Sequence, residues 1–320
     1  MVHARSFSFT DDAIHVAFPN ATELDRKGKD LENASILGPQ SVDPGLLLFQ
    51  LRRAQSYWYQ ELYQSYSAPL PDPSSFVWQI CLDMREWGES LPSNLPAGIR
   101  QMFEQELRYS YVYCIAPSAR APQITDYHRI LIFEHSLAYL LAMQEIASAG
   151  LNGAFYNYHD ALKVYFMANQ FLAVLTDSED MLLSGAQMQI PISRPGAPPA
   201  PPIPRPQLRN GRPVEDNISR SIRCLESIPQ TLEVYGRRWE DSAMLKQSLE
   251  RTLADTMGRL RERKKVQSIK MEQPTYPGSS PSATTSPRGQ AIARTPPQPR
   301  EIRWVGVDVS QMMHNRAHQQ

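Results

Sequence analysis

From Asp43 to Leu175 the apolar positions recur three or four residues apart, the spacing of one face of an α-helix. Asp43-Pro44 is a start signal: the carboxylate accepts orphan amide hydrogens, and proline suits the first helical position. After it Leu47, Leu51, Ala54, Trp58 and Leu62 share a face. Asp72-Pro73 repeats the signal before Phe76, Ile80, Met84, Trp87 and Leu91, and Pro92 closes that segment. A third helix is expected from about Ala97 to Ile115, with Phe103, Leu107, Tyr111 and Cys114 aligned. Thr125 caps a fourth, in which Ile130, Leu131, Phe133, Leu137, Leu140, Leu141 and Ile146 make an apolar surface wide enough for a central, buried helix ending near Gly150. A fifth runs from about Tyr158 to Leu175. Alternating β-branched runs are few in 43–185, so the sequence predicts an all-α fold.

Five zones follow. Residues 1–42 are irregular, with one short apolar stretch, Ala13 to Phe18; residues 43–188 are the helical body. Residues 189–213 hold nine prolines, each of which removes a backbone donor and clashes with a preceding helical turn, so this stretch is a proline-rich loop. In 214–265 periodicity returns, with Ile218, Ile222, Leu225 and Ile228 on one face and Leu245, Leu249, Leu253, Met257 and Leu260 on another. Burying about five such side chains per helix is worth roughly 1.5–3 kcal/mol each, which predicts docking back onto the body. Residues 266–320 read as a mostly disordered basic tail in which only Ile302 to Val309 is apolar enough to dock as a short extended segment.

Composition changes this picture little. Apolar residues make up 42% and charged residues 21%, a globular balance. The 33 basic and 33 acidic groups cancel, but unevenly: residues 1–250 carry 21 basic against 28 acidic groups, and 251–320 carry 12 against 5. An acidic body therefore precedes a basic tail. Cys81, Cys114 and Cys224 are too few and too far apart for a cysteine zinc site, and a disulfide scaffold is not expected in a chain of this size, which fits a reducing compartment. Ser, Thr and Asp rather than an apolar run follow Met1 to Arg5, so no signal peptide is expected. Ile130 to Met143 is short for a bilayer and broken by Glu134 and His135, so no membrane partner is expected either.

The chain shows no Gly-rich phosphate loop, nucleophile elbow or zinc-protease helix. His128 and His135 share a face without a third ligand, and His314/His318 lie in the tail. Glu104/Glu106 are too close in sequence to face one site together. No catalytic residue, cofactor or metal is assigned. Tyrosines crowd the first and third helices, and two readings stay open: Tyr59, Tyr63, Tyr109 and Tyr113 line a pocket for a small effector, or their rings pack helix on helix. The run Arg259, Arg261, Arg263, Lys264 and Lys265 reads as a helix C-terminus complementing the dipole, a nuclear-localisation patch, or a nonspecific phosphate contact. Ser280-Pro281, Ser286-Pro287 and Thr295-Pro296 fit proline-directed phosphorylation or plain tail composition.

Arg5 to Pro19, with its acidic pair and hydrophobic-Pro ending, resembles a segment in the regulatory middle-homology region of fungal zinc-cluster transcription factors. Leu51 to Tyr63, Trp78 to Pro92, Leu107 to Ser110, Ile222 to Leu225 and Trp239 to Leu260 are similar to later helices of that region, in the same order. The resemblance covers most of 5–265 and implies an all-helical regulatory domain, nuclear action, and control of a metabolic or secondary-metabolite pathway. The six-cysteine zinc cluster of that family is missing from this sequence, so no residue inherits a zinc-ligand or base-contact role. The expectation is a truncated regulator-like, non-enzymatic chain that contacts transcriptional proteins or a full-length regulator, in the nucleus or else the cytoplasm, without reading DNA itself. The alternatives are a small-molecule effector binder or enzyme using the tyrosine-rich helices, and a nonfunctional gene fragment.

Overall fold

Eight α-helices and no strand are present in the described residues of the computed structural model, which are 44–64, 68–149, 156–185, 188–204 and 215–272. Helix α1 is Pro44–Tyr59 and runs on into a π-helical turn, Gln60–Gln64. Then come α2 (Pro73–Glu89), α3 (Ala97–Ile115), α4 (Asp126–Ser148), α5 (Tyr158–Asp177), the single-turn α6 (Glu179–Leu183), α7 (Asn217–Gly236) and α8 (Asp241–Glu272). The fold is all-α. Asp43, the segments Ala13 to Phe18 and Ile302 to Val309, the pair His314/His318 and the Ser/Thr-Pro sites lie outside the described residues.

Local chemistry sets the helix starts. Asp72 caps α2 by accepting from the Ser75 amide at 3.2 Å, with Pro73 at the first helical position. Thr125 and His128 form a reciprocal box: the Thr125 hydroxyl accepts from the His128 amide at 3.4 Å, and His128 Nδ1 accepts from the Thr125 amide at 3.2 Å. Thr125→Ala is expected to remove about 1 kcal/mol of stability, seen as a lower urea midpoint at unchanged slope. At the far end of α6, Gly185 takes φ 68°, a left-handed stop that glycine adopts without a Cβ penalty.

Helix α4 is the hub, packing on α3, α5 and α7. Leu131, Ile132, Phe133, Leu137, Tyr139 and Leu140 are all buried along it, and Phe133 stacks on Phe171 of α5 at 5.3 Å. At 23 residues it is long and apolar enough to cross a membrane, which corrects the expectation that this stretch is too short. Buried positions make up 61% of its apolar window, the environment of a core helix. A satellite core gathers Leu91, Leu95, Ile99 and Phe103, with Trp87 edge-on to Phe103 at 5.3 Å.

The proline-rich residues 188–204 are not helical. Pro195 and Gly196 turn the chain, with Gly196 at φ 82° and the Ala197 amide donating to the Arg194 carbonyl at 2.9 Å. The following prolines lie across α2, α3 and α4: the Tyr127 hydroxyl donates to the Pro201 carbonyl at 2.6 Å, and Pro199 to Pro204 close a cavity of about 190 Å³ over Cys81, Arg85, Tyr111 and His135. The stretch is a strap on the body.

Helix α7 lies on α4 and α5, burying Ile218, Leu225, Ile228, Leu232 and Tyr235, and it tolerates Pro229 in its interior. Leu245, Leu249, Leu253 and Leu260 of α8 are buried, and Lys246 pairs with Glu233 of α7 at 3.1 Å. Arg259 reaches Glu179 of α6 at 3.3 Å. Helix α8 continues to Glu272, past the expected end at 265.

Candidate functional site

One cluster of buried polar groups gathers where α1, α3 and α5 meet. Glu106 sits in the apolar register of α3, three residues after Phe103 and four before Ser110, and Lys163 sits in the apolar register of α5 beside Leu162 and Val164. Both are buried, at 7% and 5% exposure. The Lys163 ammonium donates to Glu106 Oε1 and lies 3.3 Å from Asp160 Oδ1. From α1, Arg52 Nη1 donates to Glu106 Oε2 at 2.9 Å and to Gln55 Oε1 at 2.6 Å. Gln55 passes the network to Ser110 with a 2.5 Å bond. Burial by itself would push the Glu106 carboxyl up, but Lys163 and Arg52, as charges and as donors, hold it below the usual carboxylate range.

This network borders a cleft of about 400 Å³. Arg52 and Leu48 line it from α1, Met102, Gln105 and Glu106 from α3, and Tyr139 and Met143 from α4. Tyr156, Asn157, His159, Asp160 and Lys163 complete the wall. Helix α5 positions its part through a cap: Asn157 Oδ1 accepts from the His159 amide, and Asp160 Oδ2 accepts from the Asn157 amide, each at 2.8 Å. That leaves Asp160 Oδ1 turned to Lys163. The Tyr156 hydroxyl is buried without a hydrogen-bond partner among the described residues. Burial, then the Asp160 and Glu106 charges, push its phenol up. Such a site presents fixed charges of both signs to a small polar molecule.

The tyrosine quartet is placed otherwise. Tyr59 stacks on Tyr63 at 5.4 Å, Tyr63 meets Tyr113 at 5.3 Å, and Tyr113 meets Tyr109 at 5.5 Å. The Tyr63 hydroxyl donates to the Tyr113 carbonyl at 2.7 Å. The rings fill space against one another, and none of the four lines the charged cleft. Tyr109 touches its network, with the Lys163 ammonium 5.8 Å from the ring centroid.

In the basic run, Arg259, Arg261, Lys264 and Lys265 are exposed and Arg263 is half-buried. Lys265 pairs weakly with Glu262 at 3.5 Å. The run is not a helix C-terminus, because α8 continues seven residues past Lys265 and a dipole contribution is confined to the last turn. His128 and His135 are both buried and face different partners: His128 closes the α4 cap, and His135 lies 4.9 Å from the Tyr111 ring beneath the proline strap. Among the described residues no group of three or more His, Cys, Asp or Glu is placed to hold a metal ion. Comparison with protein-family models, curated proteins and solved structures gives no match.

Sequence reasoning missed Arg52, Tyr156, Asp160 and Lys163, and it set Glu106 aside with Glu104 as too close in sequence to face one site. The signal was present: a charged residue falling in a helix's apolar register, once in α3 and once in α5, marks a buried pair.

Proposed function

We propose that this chain is a helical regulatory domain of the zinc-cluster transcription-factor type, acting in the nucleus through contacts with transcriptional proteins or a full-length regulator. It performs no catalysis and reads no DNA sequence by itself. One observation carries the reading: the segments after Arg5 to Pro19 that resemble that family's regulatory region fall, in chain order, on five of the eight described helices of an all-α body. Leu51 to Tyr63 lies on α1 and its π turn, Trp78 to Pro92 on α2 and the three residues after it, Leu107 to Ser110 on α3, Ile222 to Leu225 on α7, and Trp239 to Leu260 on α8 and the two residues before it. The exposed Arg261, Lys264 and Lys265 supply the cationic surface that a nuclear-import receptor recognises.

Tethering the chain to a heterologous DNA-binding domain tests this. The expected result is a several-fold change in reporter transcription, together with a nuclear fluorescent fusion that moves to the cytoplasm when Arg261, Arg263, Lys264 and Lys265 are replaced by alanine. An inert tether together with an evenly distributed fusion would remove the proposal.

A second reading, that the domain answers to a small-molecule effector, is favoured by the charged cleft. A buried ion network is rarely worth more than apolar packing of the same volume, so stability alone does not call for one here. Its site is Arg52, Glu106, Asp160 and Lys163 rather than the tyrosine quartet.

A further inference from the structure

The charges bordering the cleft come in balanced pairs: Arg52 and Lys163 against Glu106 and Asp160. They are not equally spent. Arg52 makes both of its bonds through Nη1, so Nη2 and Nε have no partner among the described residues, and its side chain is 34% exposed. On the α5 wall, Asp160 Oδ1 has only the 3.3 Å contact to Lys163, although a carboxylate oxygen accepts two bonds. The buried Tyr156 hydroxyl adds a donor that is also unspent. Free cationic donors on α1 and spare anionic capacity on α5 therefore border one cleft.

A ligand of net charge entering this volume would leave one sign uncompensated next to buried Glu106 and Lys163, where a lone charge is costly. A neutral apolar ligand would strip water from Arg52 and Asp160 and return nothing. A molecule with one carboxylate and one ammonium meets both walls and keeps the sum at zero. The volume of about 400 Å³ equals about thirteen waters at ~30 Å³ each, which admits about ten heavy atoms with room for bridging water.

We infer that the cleft between α1, α3 and α5 binds a small zwitterion of the α-amino-acid class, its carboxylate on Arg52 and Tyr156 and its ammonium on Asp160. The inference rests on the effector reading above and names the ligand class for that site.

Thermal unfolding of the full chain tests it, with each of the twenty protein amino acids, succinate, putrescine and myo-inositol as separate 10 mM probes. At least one amino acid is expected to raise Tm by about 5 °C, while the dianion, the dication and the polyol leave it unchanged. Arg52→Met and Asp160→Asn should each abolish that rise, and Arg52→Lys should retain part of it. The charge balance adds a sharper expectation: putrescine gains a stabilising effect on Arg52→Met, and succinate gains one on Asp160→Asn. Loss of folding in either variant is visible as an absent transition, and the Arg52→Lys protein then carries the comparison. If succinate, putrescine or inositol stabilises the native protein and no amino acid does, the ligand class is wrong and the effector reading stands. If no probe stabilises it, both fall and the network is structural. An amino-acid shift that survives both Arg52→Met and Asp160→Asn places the ligand elsewhere and overturns the assignment.

Discussion

Arg220→Met is expected to lower the free energy of unfolding by about 3–5 kcal/mol, the largest single-residue loss anticipated for this protein. Arg220 of α7 and Glu134 of α4 form a two-pronged pair, Nη1 to Oε1 at 2.9 Å and Nη2 to Oε2 at 2.5 Å. Both are buried, at 7% and 8% exposure. Asn217 accepts a third bond from Nη1 at 2.8 Å, so the guanidinium is satisfied on the α7 side as well. Methionine replaces its length but not its charge. Glu134 is then left ionised in the middle of the hub helix, or must take up a proton at a cost. Replacing both partners, as Glu134→Leu with Arg220→Met, should recover most of the loss, because two packed apolar chains forfeit neither a charge nor a donor. Equilibrium denaturation of the two single variants and the double variant closes the cycle. A loss in the double variant equal to the sum of the two single losses would show that the pair matters only as packing.

That pair shows what a sequence carries and what it withholds. The helices were readable because their signals are local. Asp72-Pro73 and Thr125 are caps, and the apolar rows of α3 and α5 repeat at the helical period regardless of what they touch. Partner choice is not local. Glu134 meets Arg220 across 86 positions, and Glu106 meets Lys163 across 57. Nothing in a helical period says which distant helix supplies the counter-charge. The tyrosine quartet drew notice because aromatics are conspicuous in sequence, yet their rings pack on one another. The cleft went unread because its charged residues lie on helices far apart in the chain. The end of α8 was misjudged for a different reason. A basic run suits a helix end and an exposed helical face alike, and the seven residues after Lys265 keep helix-compatible composition.

Below pH 6.5 the native protein should lose stability through its two buried α4 histidines. His135, enclosed near Tyr111, Arg85 and the strap prolines, is pushed down to about 3, first by burial and then by the Arg108 charge. His128, which closes the α4 cap and stacks near Trp78, is pushed down to about 4 by burial and then by Arg129. In the unfolded chain both titrate near 6.5. Above that value they are neutral in both states and pH has no hold on them. Between 6.5 and about 4 the unfolded chain takes up protons that the native state refuses, so stability falls as pH falls. Each histidine contributes a slope approaching about 1.4 kcal/mol per pH unit, and by pH 5 the two remove on the order of 4 kcal/mol. Glu106 adds to the loss only below the ordinary carboxylate range, since its native value is depressed, and this separates the two effects. Urea unfolding at steps from pH 7 to 5 reads the slope directly. His135→Phe should halve it, because the ring is replaced by one that takes no proton in either state, and the cavity of about 190 Å³ beside it accepts the larger side chain. A native protein equally stable at pH 7 and pH 5 would show that both imidazoles charge within the fold, and that the strap over His135 opens to let them.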